Sequence, residues 1–463
     1  MARRTPVQIF WRSMQEKTRL RGGSLSFIEV LAAAVALIGL SMTPVLIAPY
    51  MFGAAGNGSW LAYVFGGVML LLVAVNLNHF AKRSSGAGSM FLYAANELGP
   101  TLGTLAGWSL VWAYVFVGAS QFGAQALFFG QLAGLFGANV PALVVMLSLA
   151  AVCWVLAVRD IALSTIVMLV LEAISVTIIC GLVGLVLFHH GPHLDLAQVH
   201  LQGAGSASIG LGIATAIFSF VGFESATAFG AEASSPLRTI PRAVIWSVII
   251  AGAFFILSIY AEILGLRGSK PPLDQLSAPL WSLADAMNAG YLKLPITIGA
   301  ICSSFSVALA CVNTGARILL PMAENGVLPR PLAVVHPRFQ TPYAALAVTI
   351  AVMLAIGIVM WLLHIAPIDI FNYCGTLSSL SFIAVYLLIS IAAPKYLRRI
   401  GELRAIDSAI AVLSWIFLVA TAVTLFYPLP PPPTNYFPYA FLIYLAAGLA
   451  LYALARRSVA RTP

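Results

Sequence analysis

IFSFVGFESATAFGAEASSPLRTIPRA, residues 217–243, is the stretch from which the fold of this chain follows. It begins as an apolar run, is interrupted by Gly222 and Glu224, and ends in a basic loop marked by proline. A continuous apolar helix satisfies its own backbone groups in lipid, whereas an interrupted helix leaves N–H and C=O groups exposed. Such groups are tolerated at membrane depth only where they line a cavity within protein. The stretch therefore predicts a broken membrane helix that faces a binding site.

The composition indicates a membrane protein. Hydrophobic residues make up 61% of the chain and charged residues 8%, whereas soluble domains carry about 25% charge. Apolar stretches of roughly 20 residues recur along the whole length, and each can cross a hydrocarbon core about 30 Å thick. No cysteine forms a CxxC pair, so the cysteines indicate packing and not a disulfide or metal framework. We predict an all-α polytopic protein whose first apolar run is a retained span and not a signal peptide.

The positive charges fix the predicted topology. All but three of the 24 Lys and Arg residues lie on one side when both termini are cytoplasmic. The exceptions, Arg267, Lys270 and Lys293, lie in or beside one outer loop. Because Lys and Arg bias sets orientation, the net charge of +9 is explained by topology and gives no reason to invoke nucleic acid. The twelve predicted spans are 27–54, 59–79, 101–134, 138–157, 161–188, 206–230, 240–266, 290–323, 341–364, 367–393, 405–427 and 436–455.

The first span contains a second interruption. In FIEVLAAAVALIGLSMTPVLIAPYMFGAAGN (27–57), Gly39 and Pro44 bracket three residues, Ser41, Met42 and Thr43. Proline lacks a backbone N–H and clashes with the carbonyl four residues earlier. Breaks in spans one and six predict two five-helix halves of inverted topology with a site between them. The alternative is that both are ordinary kinks, since Gly and Pro are frequent in membrane helices.

Several stretches resemble the amino acid–polyamine–organocation superfamily of permeases. FSFVGFE followed by AEASSPLRTIPRA, within 217–243, is similar to that family's F-x-G-F-E/D break, N-P-x-R and I-P-R-A. SSGAGSMFLYAANELG (84–99) resembles its segment before span three. NTGARILLPMAENGVLPRPLAVVHPRFQTPYAAL (313–346) and YCGT (373–376) resemble its span-eight exit and its span-ten motif. Together these similarities extend over spans one to ten.

The resemblance implies a leucine-transporter-type fold, a 5+5 inverted repeat followed by two peripheral helices. It divides the chain into a cytoplasmic segment 1–26, repeats 27–188 and 206–393, peripheral helices 405–455 and a cytoplasmic tail 456–463. It implies substrate binding between the two breaks, at Gly39, Ser41, Met42, Thr43, Ser219, Phe220, Gly222, Phe223 and Glu224. In this fold span three also lines the site, and here it carries Trp108, Trp112 and Tyr114.

The sequence departs from the family pattern at two places. GLSMTP (39–44) keeps a single glycine where the family is usually glycine-rich, so the hydroxyls of Ser41 and Thr43 become candidates to hold a substrate carboxylate. In span five, Glu172 stands where several proton-coupled relatives carry a lysine that reaches the first break.

Glu172 is the candidate for coupling. A charge at mid-bilayer costs about 2.5–3.5 kcal/mol on insertion scales, and no basic residue lies in the same span. Because burial disfavours the charged form of a carboxyl, we expect Glu172 to bind and release a proton. Two alternatives stay open, namely pairing with a substrate amine and a permanent proton in one structural hydrogen bond.

Three further acids lie in or near spans six and seven. Glu224 follows the break and is expected either to brace the unwound segment or to neutralise a substrate ammonium. Glu232 and Arg238 are predicted to pair as part of a gate at the inner end of span six. Glu262 in span seven is either a functional acid or faces Arg267.

The leading functional prediction is a proton-coupled secondary transporter of amino acids or related amines that works by alternating access. An exchanger or exporter is the alternative, and an integral membrane enzyme is a remote one because no catalytic constellation is present. The chain lacks a GxxxxGK[ST] phosphate loop, which disfavours a primary pump. No cofactor or metal is predicted, and the expected partners are a small-molecule substrate and membrane lipids. Sodium is a lesser alternative to the proton, and it rests on three span-eight hydroxyls, Ser303, Ser304 and Ser306.

Overall fold

The computed structural model describes residues 23–84, 89–159, 161–424 and 432–459, and within them the fold is built from helices. The basic N-terminal residues 1–22, part of the 84–99 motif and the first residues of the proline-rich segment 427–438 lie outside the described residues. The α-helices are α1 (Phe27–Ile38), α2 (Ala48–Ala55), α3 (Ser59–Ala81), α4 (Ser89–Leu98), α5 (Pro100–Leu135), α6 (Ala142–Arg159), α7 (Ile161–His190), α8 (Leu196–Val199), α9 (Ser206–Phe220), α10 (Pro236–Gly265), α11 (Pro279–Ala286), α12 (Lys293–Glu324), α13 (Tyr343–Leu362), α14 (Pro367–Ile400), α15 (Ala405–Thr424) and α16 (Phe437–Val459).

The predicted polytopic helical class is confirmed. In the described part of the chain, eleven helical stretches are long and apolar enough to cross a membrane. The first stretch, Phe27–Ala81, contains both of the first two predicted spans as α1, α2 and α3. Each of the other ten overlaps one further predicted span. The inverted repeat of five helices and the division into repeats and peripheral helices stay predictions.

The first predicted break is present, and its local sequence explains it. Helix α1 begins with a capping box, in which Ser26 and Glu29 exchange side-chain and backbone hydrogen bonds. It ends at Gly39, whose φ of 66° is the left-handed conformation that glycine adopts without strain. A turn and a short π-helix, Thr43–Ile47, then lead into α2. The span is therefore two half-helices joined by irregular backbone.

The second predicted break is also present, and the two breaks touch. Helix α9 ends at Phe220, and the chain passes through Gly222, at φ 113°, into a 3₁₀ helix at Phe223–Phe229. A Cβ atom on Gly222 would lie 2.2 Å from Leu37 Cδ2 and 2.9 Å from the carbonyl carbon of Leu37. Only glycine allows this approach, because a side chain would meet both strain and backbone. The second break is thus seated directly against the end of α1.

The helices around the breaks form a continuous core. Helix α5 packs along α14 and α12, and α12 packs along α7. Helix α15 packs against α14 and α3, and α16 packs against α5 and α14. The contact between α16 and α5 is aromatic, with the ring centroids of Trp112 and Tyr444 4.4 Å apart. Four long helices, α5, α7, α12 and α14, therefore surround the two broken spans and position the site.

Candidate functional site

A buried carboxylate holds the second break in place. The carboxylate oxygens of Glu224 accept hydrogen bonds from Tyr114 Oη at 2.9 Å, from Tyr386 Oη at 2.6 Å and from the Gly222 amide at 3.1 Å. The side chains of Glu224, Tyr114 and Tyr386 are all buried. Tyr114 belongs to α5 and Tyr386 to α14, so Glu224 connects the break to two long helices. With its oxygens committed in this way, Glu224 has the geometry of a brace and not of an ammonium ligand.

Sequence reasoning missed Tyr386. It lies in the apolar run of α14, where a tyrosine has the appearance of a packing residue. The available signal is physical, because a buried tyrosine hydroxyl nearly always finds a hydrogen-bond partner. A tyrosine deep in an apolar helix therefore points to a polar group on a neighbouring helix, which here is Glu224.

A second carboxylate, Glu172, reaches the first break from α7. Its Oε1 accepts a hydrogen bond from the Ser41 amide at 3.2 Å, and its Oε2 accepts one from Ser303 Oγ at 2.7 Å. Glu172 therefore joins three elements: α7, the break after α1, and α12. Ser304 and Ser306 donate instead to backbone carbonyls, so Ser303 is the one predicted span-eight hydroxyl that faces Glu172.

The hydroxyls of the first break are buried beside polar side chains. Ser41 Oγ interacts with Glu172 and Thr43 Oγ1 with Tyr63, although neither contact reaches full hydrogen-bond geometry. The Ser41 amide donates a full hydrogen bond to Glu172. The use of the two hydroxyls to hold a substrate carboxylate stays a prediction.

A cavity of about 360 Å³ lies beside the breaks. It is enclosed by the π-helix and α2 on one side, by α9 on a second and by α14 on a third, and α15 also contributes. Its lining includes seven residues with polar or aromatic side chains, Tyr50, Thr215, Phe218, Asn372, Thr376, Ser379 and Thr421. Among the described residues, no acidic or basic side chain belongs to this lining. The wall is mainly apolar, with uncharged polar groups on α9, α14 and α15.

The aromatic residues at the second break differ in their surroundings. Phe218 lines the cavity, and its ring lies over Gly375, where a Cβ atom would come within 2.4 Å of it. Phe220 packs between Tyr63 and Phe255, with ring centroids 6.3 and 5.1 Å away, and Phe223 packs against Tyr386. None of the nine residues predicted to bind substrate lines this cavity. Phe220 and Phe223 are packing residues in this state, and Phe218 is the ring at the cavity wall.

The remaining predicted residues lie at or near the breaks. Gly39 packs against α12, where a Cβ atom would come 2.6 Å from Val307 Cγ2, and Met42 is buried beside it. Ser219 exchanges a hydrogen bond of 3.0 Å with Tyr63 Oη. These residues build the junction of the two broken spans, below the cavity.

The predicted pair between Glu232 and Arg238 is wrong. Glu232 instead pairs with Arg317 of α12, through Nε–Oε2 and Nη2–Oε1 contacts of 2.5 and 2.8 Å. Helix α10 begins at Pro236 and exposes Arg238 on its first turn, whereas Glu232 turns inward towards α12. Both members of this inner pair, Glu232 and Arg317, are 1% exposed. The arginine also lies over the Phe229 ring, 5.2 Å from its centroid.

Backbone pairing reinforces the inner pair. The Leu25 amide donates to the Glu232 carbonyl at 3.0 Å, and the Ser234 amide donates to the Leu25 carbonyl at 2.8 Å. The residues that lead into α1 are thus tied to the loop that follows the second break. Both contacts lie on the side of the molecule that the charges predict to be cytoplasmic.

An ion pair on the opposite side corrects a second expectation. Arg267 pairs with Asp195, at the start of α8, and not with Glu262. Burial acts to raise the pKa of Asp195, but hydrogen bonds from Gln198 and Arg267 outweigh it and hold this pKa below its usual value. We call Asp195 and Arg267 the outer pair. Glu262 is left fully buried in α10 without a basic partner among the described residues.

The comparisons with known proteins match this geometry. A model of the amino acid permease family matches residues 34–455. The chain belongs to the amino acid permease family. The low-affinity putrescine importer PlaP of Escherichia coli is 26% identical to this permease over 292 residues, 61% of this chain and 63% of the importer. The methylthioribose transporter of Bacillus subtilis is 24% identical over 486 residues, 98% of this chain and 97% of that transporter.

A solved structure shares the fold. The crystal structure of a manganese transporter variant from Eremococcus coleocola aligns with a TM-score of 0.58, over 94% of this chain and 95% of that one, at 11% identity. At this identity the likeness concerns the fold alone. The family match and the eleven apolar helical stretches of the described residues confirm that the permease is a multi-pass membrane protein, as the composition predicted.

Proposed function

We propose that this permease is a secondary active transporter of amino acids or related amines in the cell membrane, with both termini in the cytoplasm. The observation that carries the proposal is the contact between two broken helices, Gly222 against Leu37, between a cavity on one side and the buried inner pair on the other. Broken helices in corresponding positions of two halves mark the binding site in transporters of this kind. The putrescine importer among the relatives supports amines as one substrate class.

The arrangement corresponds to one state of an alternating-access cycle. The cavity lies between α2 and α9, whose ends belong to the predicted outer side, while Glu232, Arg317 and Leu25 close the inner side. We infer an inward-closed conformation that receives substrate from outside. Transport then requires the inner pair to separate and the walls of the cavity to close together.

We further propose that Glu172 couples this cycle to protons, which makes the permease a symporter. As a carboxylate, Glu172 accepts from both the Ser41 amide and Ser303. A proton on one oxygen removes one of these acceptors and weakens the junction of the first break with α7 or α12. Protonation therefore acts on the half-helix that must move, which is what coupling requires.

Uptake into proteoliposomes tests the proposal. The purified permease is supplied with labelled amino acids and polyamines, with and without an imposed pH gradient. We expect saturable uptake of at least one substrate that is stimulated by an acidic exterior. A stimulation by a sodium gradient alone would replace the proton with sodium, and failure of every amino acid and amine to enter would overturn the proposed substrate class.

An exchanger is the second candidate, because the same geometry serves either direction. It predicts that uptake depends on substrate loaded inside the vesicles and persists without a pH gradient. Counterflow into preloaded and empty vesicles separates the two modes.

A further inference from the structure

Glu262 is a buried carboxyl group that the proposed mechanism does not use. It lies near the predicted outer end of α10, its side chain is fully buried, and neither carboxylate oxygen has a hydrogen-bond partner among the described residues. Ser258, one helical turn earlier on the same face, is also buried with an unpartnered hydroxyl. A buried polar group without partners is rare in native proteins and calls for an explanation.

Within the described part of the chain, no positively charged side chain is paired with Glu262. Tyr63 of α3 is the titratable group that interacts with it, while the nearby Arg267 is engaged by Asp195. Glu172 of α7 and Asp285 of α11, on two other helices packed against α10, have their own partners in Ser303 and Lys293. A charged carboxylate in such a position would lose its solvation and gain nothing in return.

The neighbours of Glu262 belong to the parts that move. Tyr63 Oη is hydrogen-bonded to Ser219 at the end of α9, and it also interacts with the hydroxyl of Thr43 in the first break. The π-helix that contains Thr43 also packs against α10. Any displacement of either broken span therefore changes the contacts of Tyr63 and the access of water to Glu262.

We propose that Glu262 is a second proton-binding site, distinct from Glu172, which holds its proton in the inward-closed state and releases it when the broken spans move. The step is a simple protonation, in which the carboxylate takes up one proton to become the neutral acid and later returns it to water. The inference rests on the proposed transport cycle, and it raises the number of protons that the cycle carries from one to two.

The protonation state can be measured without a substrate. Infrared spectra of the purified permease are compared with those of Glu262→Gln, so that the difference contains the Glu262 carboxyl alone. At neutral pH we expect the band of a protonated acid, shifted in heavy water, and its loss in the variant. Glu172→Gln is the matched control, because its difference spectrum must leave the Glu262 band unchanged. A carboxylate band at neutral pH in the difference between wild type and Glu262→Gln would overturn the proposal.

Release is tested by opening the inner side. The double variant Arg317→Met with Glu232→Gln removes the inner pair without leaving a buried charge. We expect the band of protonated Glu262 to disappear at a pH that is lower by about one unit or more than in the wild type. The reason is that water that reaches Glu262 in the opened variant stabilises the charged carboxylate. Thiol labelling of Ser225→Cys, a buried position in the second break, verifies that the inner side has opened.

The outcomes separate the two levels of the proposal. If the variant opens and the band disappears at an unchanged pH, Glu262 holds a permanent structural proton and the proposed site is refuted. A release measured in a protein that transports no amino acid or amine would leave the proton site standing and refute the substrate class. Ser258→Ala, next to Glu262 on α10, is expected to shift the band without abolishing it, which confirms the assignment to this site.

Discussion

Ion pairs of different character lie on the two sides of the permease. The inner pair, Glu232 and Arg317, is 1% exposed, forms two parallel hydrogen bonds and lies below the breaks. In the outer pair, the Arg267 side chain is 44% exposed and the Asp195 side chain 8%, and the pair joins the start of α8 to the end of α10. A buried pair resists the loss of either partner, whereas a pair with an exposed partner contributes less. From this difference we infer that the inner pair controls the conformation and that the outer pair tethers two outer segments.

Breaking the inner pair has the largest expected effect. Arg317→Ala leaves Glu232 buried without a cation, and we expect a loss of about 3–5 kcal/mol in stability. The double variant Arg317→Met with Glu232→Gln leaves no buried charge and is expected to recover most of this loss while exposing the inner side. Thermal unfolding in detergent measures the first effect, and thiol labelling of Ser225→Cys measures the second. Equal stability of Arg317→Ala and wild type would mean that the inner pair does not hold this state.

The contact between the breaks gives the next effect. Gly222→Ala places a Cβ atom 2.2 Å from Leu37 Cδ2 and forces alanine to φ 113°. We expect a loss of about 2–4 kcal/mol, from backbone strain and overpacking together. Gly210→Ala is the matched control on α9, since a Cβ atom there meets nothing within 4 Å. Uptake and thermal unfolding report the effect, and similar behaviour of the two variants would show that the breaks are not in close contact.

Substitution of Glu172 tests the proposed coupling of transport to protons. We expect it to change the pH dependence of uptake more than the stability of the protein. Glu172→Gln keeps the shape of the side chain but does not titrate. We expect uptake that no longer responds to external pH, with binding retained. Ser303→Ala removes one partner of Glu172 at 2.7 Å and is expected to cost about 1 kcal/mol while preserving the pH response. A pH profile shared by wild type and Glu172→Gln would assign coupling elsewhere.

The sequence was sufficient for the breaks but not for the contacts across the fold. Gly39, Pro44 and Gly222 interrupt their helices through local backbone chemistry, which a single sequence displays. The predicted partner of Glu232, Arg238, was chosen because it is near in sequence. The observed partner, Arg317, is 85 residues away in sequence but near in space. Which of two basic residues faces an acid depends on where a helix begins and how it packs, and neither is a local property.

The cavity wall was missed for the same reason. Asn372 and Thr376 lie one helical turn apart on α14, so their spacing places both on one face. The sequence does not say which neighbour that face meets. Phe218, Phe220 and Phe223 all lie at one break, and which of the three rings faces the cavity depends on the direction of a backbone that is no longer helical. The irregular backbone of the breaks shows in the sequence where the site lies along the chain. It does not show in which direction the side chains of the site point.

The outer pair gives the smallest expected effect and sharpens the comparison with the inner pair. Because the pKa of Asp195 is lowered in the folded protein, its stabilisation is present above the unfolded value of about 3.9 and is lost as pH falls through the lower folded value. We expect Asp195→Asn to cost about 0.5 kcal/mol at neutral pH, since the arginine of the pair is exposed to water, and we expect the difference from wild type to vanish as pH falls through the folded pKa of Asp195. Asp285→Asn is the control. It removes an outer ion pair with Lys293, and the Asp285 side chain is 55% exposed. A loss from Asp195→Asn as large as that from Arg317→Ala would mean that both sides of the permease are held with equal strength, and the conformation would then not be controlled from the inner side alone.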